Sequence, residues 1–247
     1  MKFYLTSVAN CLDQIESFRK LINSKTNLVI LPISYHDDYI NCSEDIINHF
    51  DRSPLNRESI YWHTVQPFIN AGMNPDRVTI INPYRDPIEY VRHRLTQSNT
   101  IVYLPGGYPE NIVKNMYRFG YYPIIKYCSV LVGESAGSMA PFADFFVYPD
   151  HDYKTYKRFK GLHLISKMTV IPHFERDDDR MVSACAKFQQ YSSRTKIYCI
   201  EDGGYIVLEN NKVTEKYKAN VYRNRKKHNE KVKKVTEEAK KTLKSVR

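Results

Sequence analysis

The chain has 247 residues, 42% of them hydrophobic and 26% charged, a balance that suits a globular protein with a sizeable core and excludes a disordered or low-complexity chain. No apolar run approaches the ~18 residues of a membrane span, and Met1-Lys2-Phe3 leads straight into a strand pattern, so a cytoplasmic protein without membrane contact is expected. The net charge of +10 sits at one end: Asn211–Arg247 holds 14 of the 37 Lys and Arg but 4 of the 27 Asp and Glu, leaving 23 of each sign in residues 1–210 and no electrostatic support for nucleic-acid binding by the body.

Cys11, Cys42, Cys128, Cys185 and Cys199 are scattered, odd in number and without Cys-x-x-Cys spacing, which predicts neither a disulfide framework nor a zinc site. Lys2–Ser7 reads as a first strand, and Leu12, Ile15, Phe18, Leu21 and Ile22 recur after it at helical spacing. Asn27–Ile33 is a short apolar run, the pattern of a strand buried on both faces. His36 precedes Asp37 and Asp38; with no second ligand cluster at matching spacing, the reading is a solvated loop at a strand end and not a metal site. Ile60, Val65, Phe68 and Ile69 give Arg57–Gly72 a helical period that stops at Gly72. Arg77–Ile81 is a third strand, Ile88, Val91 and Leu95 mark another helix, and Thr100–Leu104 is a fourth strand. Strands and helices alternating at these short spacings predict a mostly parallel sheet between helical layers, in one α/β domain.

The fourth strand ends in Pro105-Gly106-Gly107-Tyr108-Pro109. Ligands gather beyond the carboxyl ends of such strands, and two glycines free the backbone to present N–H groups to a bound oxygen. A turn capping the Glu110–Phe119 helix fits the local sequence equally well, and the position one strand before a serine turn favours the functional reading. Val130–Met139 then reads as a buried strand entering a helix through a tight turn that carries Ser135, with Gly133 and Gly137 two residues to either side. This is the pattern of a nucleophile elbow, which exposes the serine hydroxyl at the strand end with the Ala136 N–H facing any oxyanion formed there.

Phe145–Lys160 is an aromatic and charged excursion expected near the site mouth. Met168–His173 is a strand whose terminal His173 is the best placed general base of the eight histidines, expected on a strand beside that of Ser135. Asp179–Gln190 is helical, and Lys196–Ile200 is a strand closing in Glu201-Asp202-Gly203-Gly204 before the extended run Tyr205–Leu208. Acidic residues there are either turn formers or the carboxylate that orients an imidazole.

Together, Leu104-Pro105-Gly106-Gly107-Tyr108, Gly133-Glu134-Ser135-Ala136-Gly137, Gly161-Leu162-His163-Leu164-Ile165, Pro172-His173-Phe174 and Ile200-Glu201-Asp202-Gly203 resemble the peptidase S51 family, the dipeptidase E and cyanophycinase group, over roughly residues 2–218. The order serine, histidine, acid matches that family and differs from the serine, acid, histidine of α/β-hydrolases. The resemblance implies a three-layer αβα sandwich of the class I glutamine amidotransferase-like (flavodoxin-like) type, with serine where the amidotransferases carry cysteine. It implies Ser135 as nucleophile, His173 as general base, Asp202 as the acid with Glu201 as the alternative, and Gly107 and Ala136 as backbone donors of an oxyanion hole, with Gly106 against the substrate and no metal or cofactor. Small aspartyl peptides are the implied substrates, for a monomer or homodimer. Arg176 or Arg180 would pair with a substrate carboxylate; both stand among Asp177, Asp178 and Asp179, where pairing at a helix start is the competing reading. A same-fold hydrolase of another amide or ester and a non-catalytic ligand-binding protein are the alternatives.

The catalytic domain is expected to span residues 1–219, because residues 220–247 match nothing in that family. Val232, Val235, Ala239 and Leu243 at near-helical spacing in a lysine-rich run describe a marginal helix or a solvated tail, with an arm for an anionic partner, nucleic acid among them, as the other reading.

Overall fold

In this computed structural model, residues 1–36, 38–53 and 59–222 are described. In chain order the first elements are β1 (Lys2–Thr6), α1 (Glu16–Arg19), β2 (Asn27–Ile30), α2 (Ser43–His49), α3 (Ile60–Asn70), β3 (Val78–Ile80), α4 (Ile88–Thr96), β4 (Thr100–Leu104) and α5 (Pro109–Arg118). They are followed by α6 (Tyr122–Ile125), β5 (Val130–Glu134), α7 (Ala136–Met139), β6 (Asp144–Val147), β7 (Lys157–Lys160), β8 (Met168–Ile171), α8 (Asp179–Tyr191), β9 (Lys196–Glu209) and β10 (Lys212–Val221).

Period-two alternation sorts the strand side chains into two cores, one on each face of the sheet. Phe3 and Leu5 of β1, Val29 of β2, Val102 and Leu104 of β4 and Leu131 of β5 join one core, closed by Val91 and Leu95 of α4 and Ile112 and Met116 of α5. Tyr4, Leu28, Ile30, Ile101, Tyr103 and Val132 join the other, closed by Phe18 of α1 and Val65 and Phe68 of α3. The result is a three-layer α/β sandwich. Its sheet runs β10-β9-β1-β5-β4-β2-β3, parallel from β1 to β3, with β9 antiparallel to both β1 and β10.

One junction in this sheet positions the site. The first half of β9 pairs with β8 up to Ile171↔Cys199, and its second half pairs with β1 up to Thr6↔Tyr205. Because β8 is parallel and β1 antiparallel to β9, their carboxyl ends point at each other across Ile200–Gly204. Phe174 N–H donates to Ile200 O at 2.9 Å on one side of the seam, and Ser7 N–H donates to Gly204 O at 3.2 Å on the other.

Several sequence expectations are revised. The segment Leu12–Ile22 is a 3-10 turn over Ala9–Gln14 and the single turn α1, with Ile15 in extended conformation between them; Leu12, Ile15 and Phe18 are nonetheless all buried. Their spacing of three serves a 3-10 turn as well as an α-helix. The strand of His173 does not lie beside the strand of Ser135: β1 occupies that place next to β5, and β8 abuts the end of β1. Glu201 and Asp202 are not at a strand end. The chain bends at Gly203 (φ 72°) and continues as β9, with β10 matching the bend by a register shift between Tyr217 and Ala219. Asn220 and Val221, read as the start of the tail, pair with Cys199 and Tyr198 in β10. Asp37, the helix start at Arg57 and the tail residues Val232, Val235, Ala239 and Leu243 lie outside the described residues. Among the described residues no helix is long and apolar enough to cross a membrane. The five cysteines are free, and all but Cys42 are buried.

Candidate active site

Ser135 sits between β5 and α7 with φ 49° and ψ −112°, a backbone conformation that costs a non-glycine residue about 1–3 kcal/mol. The surroundings hold it there. Ser135 N–H donates to Thr6 O at 3.0 Å, and its carbonyl accepts from Ser138 N–H at 2.9 Å and from Ser138 Oγ at 2.6 Å. Gly133 and Gly137 are required by contact: a Cβ at Gly133 would lie 2.3 Å from Gly137 O, and one at Gly137 would lie 1.9 Å from Leu104 O. The neighbouring Glu134 braces the turn, accepting Ala9 N–H at 2.9 Å and the hydroxyl of the fully buried Tyr103.

His173 follows the end of β8 and also has a left-handed backbone, φ 53°. Its Nε2 lies 3.0 Å from Ser135 Oγ, and its Nδ1 lies 2.7 Å from Asp202 Oδ1. The seam between β8 and β1 brings these groups together, since it leaves the β9 backbone at Asp202 without a strand on that side. Burial works to raise the Asp202 pKa, but hydrogen bonds from Ser7 and His173 and the charge of the imidazole outweigh it and hold the carboxyl below its ordinary value. Glu201 points elsewhere and meets Arg176 Nε at 3.4 Å.

Gly106 and Gly107, in the turn after β4, pack against this group; a Cβ on Gly106 would lie 3.5 Å from Ser135 Cβ. Gly107 has φ 133°, and a Cβ there would lie 2.8 Å from Ser34 O. Ser34 Oγ donates to Gly106 O at 2.6 Å, which turns that carbonyl away and, through the planar trans peptide, aims the Gly107 N–H in the opposite direction. Gly107, Ser135, Ala136 and His173 line one cavity of about 690 Å³. Its outer wall is the excursion between β6 and β7, a separate two-stranded sheet. Tyr108 Oη donates to Asp152 at 3.0 Å and Tyr153 Oη to Glu110 at 2.7 Å, mooring that wall to the turn after β4. Burial pushes the Tyr148 phenol up to about 12 and, with the Glu110 contact, Tyr153 higher still, so neither exchanges protons near neutral pH.

The model of peptidase family S51 matches residues 55–216. The chain belongs to peptidase family S51. Membership makes it a hydrolase of the serine-peptidase type, and the fold agrees. The chain is similar to a candidate peptidase E protein from Listeria monocytogenes EGD-e at 14% identity and a TM-score of 0.57, covering 90% of this chain and 98% of that one. It is also similar to a peptidase from an acI-B1 actinobacterium at 16% identity and a TM-score of 0.52, covering 84% and 83%. No curated protein matches the sequence.

The two arginines expected near an S51 substrate separate in space. Arg180 lines the cavity, where Asp178 holds it through Nε at 3.1 Å and Nη2 at 2.7 Å. Arg176, paired with Glu201, does not. His36 is exposed and packs edge-to-face on Tyr108 at 4.7 Å. Among the described residues, Asp150, His151 and Asp152 on the cavity rim are the group whose ligand atoms come within 4.8 Å of one another. Asp150 Oδ1 accepts the Asp152 and Tyr153 N–H groups at 2.8 Å each, so the turn itself accounts for their arrangement. Ser7 is fully buried at the seam and bonded to both His173 and Asp202. A serine following a first strand carries no motif; only the abutting strand ends reveal it.

Proposed function

We propose that this S51 protein hydrolyses small peptides through Ser135, His173 and Asp202. The observation that carries the reading is the unbroken run of contacts at the cavity floor, 3.0 Å from Ser135 Oγ to His173 Nε2 and 2.7 Å from His173 Nδ1 to Asp202 Oδ1. Ser135 Oγ attacks the peptide carbonyl as His173 Nε2 takes its proton; the amine leaves with that proton, and water, deprotonated by the same imidazole, releases the acyl group. The Gly107 and Ala136 N–H groups receive the oxyanion, each worth about 3–4 kcal/mol in comparable sites. A cavity of about 690 Å³ suits a dipeptide or tripeptide.

The finer reading is that the substrates are aspartyl peptides, as the family resemblance implies. Arg180 supports it: Asp178 leaves part of its five-donor guanidinium free for a substrate carboxylate. Asp150, Asp152 and Glu175 line the same cavity and favour a basic residue as the partner of that aspartate. The test is turnover of a panel of Asp-X and β-aspartyl dipeptides, basic X included, by wild type and Ser135→Ala. Wild type is expected to cleave members of the panel and Ser135→Ala to lose about 10³-fold or more. Equal turnover by both proteins would remove Ser135 from the reaction.

A further inference from the structure

We infer that Ser7 is a positioning residue that fixes the tautomer of His173 and the rotamer of Asp202; the inference rests on the triad reading above. Ser7 is fully buried, whereas the Asp202 side chain is 68% exposed and His173 38%. In the usual triad the acid is buried and its surroundings hold it. Here the carboxylate stands largely in water, and besides the imidazole it orients, the group that restrains it is this hydroxyl. Ser7 Oγ donates to Asp202 Oδ1 at 2.7 Å, accepts the His173 backbone N–H at 2.8 Å and lies 3.1 Å from His173 Nδ1.

A hydroxyl has one proton to give. That proton goes to Asp202, so Ser7 cannot donate to His173 Nδ1, and the ionised carboxylate has no proton to give. Nδ1 must therefore carry its own hydrogen, aimed at Asp202 Oδ1, and Nε2 is left with the lone pair that faces Ser135 Oγ. The bond to the His173 N–H has a second effect. It restrains a residue whose φ of 53° is costly for a non-glycine, and with Phe174 N–H on Ile200 O it keeps the imidazole over the seam. Ser7 is itself fixed by its N–H on Gly204 O at 3.2 Å. One side chain at the end of β1 thus ties the base, contributed by the end of β8, to the acid, contributed by the middle of β9. Ser7 touches no reacting atom and acts through these two residues.

The test compares wild type, Ser7→Ala, Asp202→Ala and the double variant on an aspartyl dipeptide that wild type hydrolyses, with thermal melting as the check on folding. Ser7→Ala is expected to lower kcat about 10- to 100-fold with KM within about twofold, the loss expected for a hydrogen bond to a charged group. In the Asp202→Ala background the same substitution should cost clearly less than in wild type, because one of the two partners it acts through is gone and only the bond to the His173 N–H remains. By proton NMR, the downfield Nδ1–H signal of His173 should broaden or move upfield in Ser7→Ala. If alanine prevents folding, Ser7→Cys, which fills the same space with a weak donor, carries the same expectations. A folded Ser7→Ala with wild-type kcat and an unchanged Nδ1–H signal overturns the inference, as does an equal loss in both backgrounds. A Ser135→Ala variant that retains turnover would instead overturn the triad reading itself.

Discussion

In the proposed mechanism, replacing Asp202 by alanine removes the carboxylate that faces the imidazolium formed when Ser135 gives up its proton. At the 2.7 Å separation of Nδ1 and Oδ1, two unit charges attract by about 1.5 kcal/mol in a water-like medium of ε about 80 and about 6 kcal/mol at ε about 20. The Asp202 side chain is 68% exposed, which places the working value toward the lower end, about 2–3 kcal/mol. That corresponds to a loss of about 30- to 150-fold in kcat, well short of the ~10⁴ seen when a buried triad acid is neutralised. Glu201→Ala, which removes a carboxylate paired with Arg176 at 3.4 Å, should change kcat less than about threefold. Steady-state hydrolysis of an aspartyl dipeptide by the two variants decides the matter. A Glu201→Ala loss larger than that of Asp202→Ala would refute the assignment of the acid, and an Asp202→Ala enzyme within threefold of wild type would refute the electrostatic argument.

Gly137→Ala would place a Cβ 1.9 Å from Leu104 O, where ordinary contact begins at 3.4 Å, so β4 and the elbow must separate by about an ångström or more. The expected result is a fall in melting temperature of about 5 °C or more, with turnover lost in the protein that remains folded; an unchanged melt would show that the elbow has room to spare. Arg180→Ala should raise KM for aspartyl peptides about tenfold while Arg176→Ala leaves it unchanged, because only Arg180 lines the cavity. Equal KM values for the two variants would exclude Arg180 from carboxylate recognition.

Much of this geometry was legible in the chain because its cause is local. Gly133, Ser135 and Gly137 announce the elbow since a strand reversing into a close-packed helix needs those small residues at that spacing, and the contacts at Gly137 O and Leu104 O are the physical content of the motif. The apolar runs of β2, β4 and β5 read directly as strands with both faces covered. What could not be read depends on which strand ends meet. Local sequence places Glu201 and Asp202 at a strand end because Gly203-Gly204 is turn chemistry, yet β9 runs through it, held by β10 on both sides of the bend and by β1 from Tyr205 onward. The choice between the two carboxylates follows from strand alternation: neighbouring residues face opposite sides, so the side chain that meets His173 cannot also be the one that meets Arg176. Ser7 and the partition of Arg176 from Arg180 are likewise products of topology.

The hairpin of β6 and β7 is closed upon itself by the Phe145–Phe159 stack and the Lys160–Asp144 ion pair, outside the main ladder of strands. Phe146, Val147, Tyr148, Asp150, Asp152 and Tyr153, all within this one stretch, form the cavity's outer wall. Part of the selectivity is therefore encoded apart from the reactivity, although Glu175 and Arg180 on the other side of the cavity lie outside this stretch. Changes within that single contiguous stretch can redraw the outer wall, while the residues gathered at the meeting of β8, β1 and β9 stay as they are.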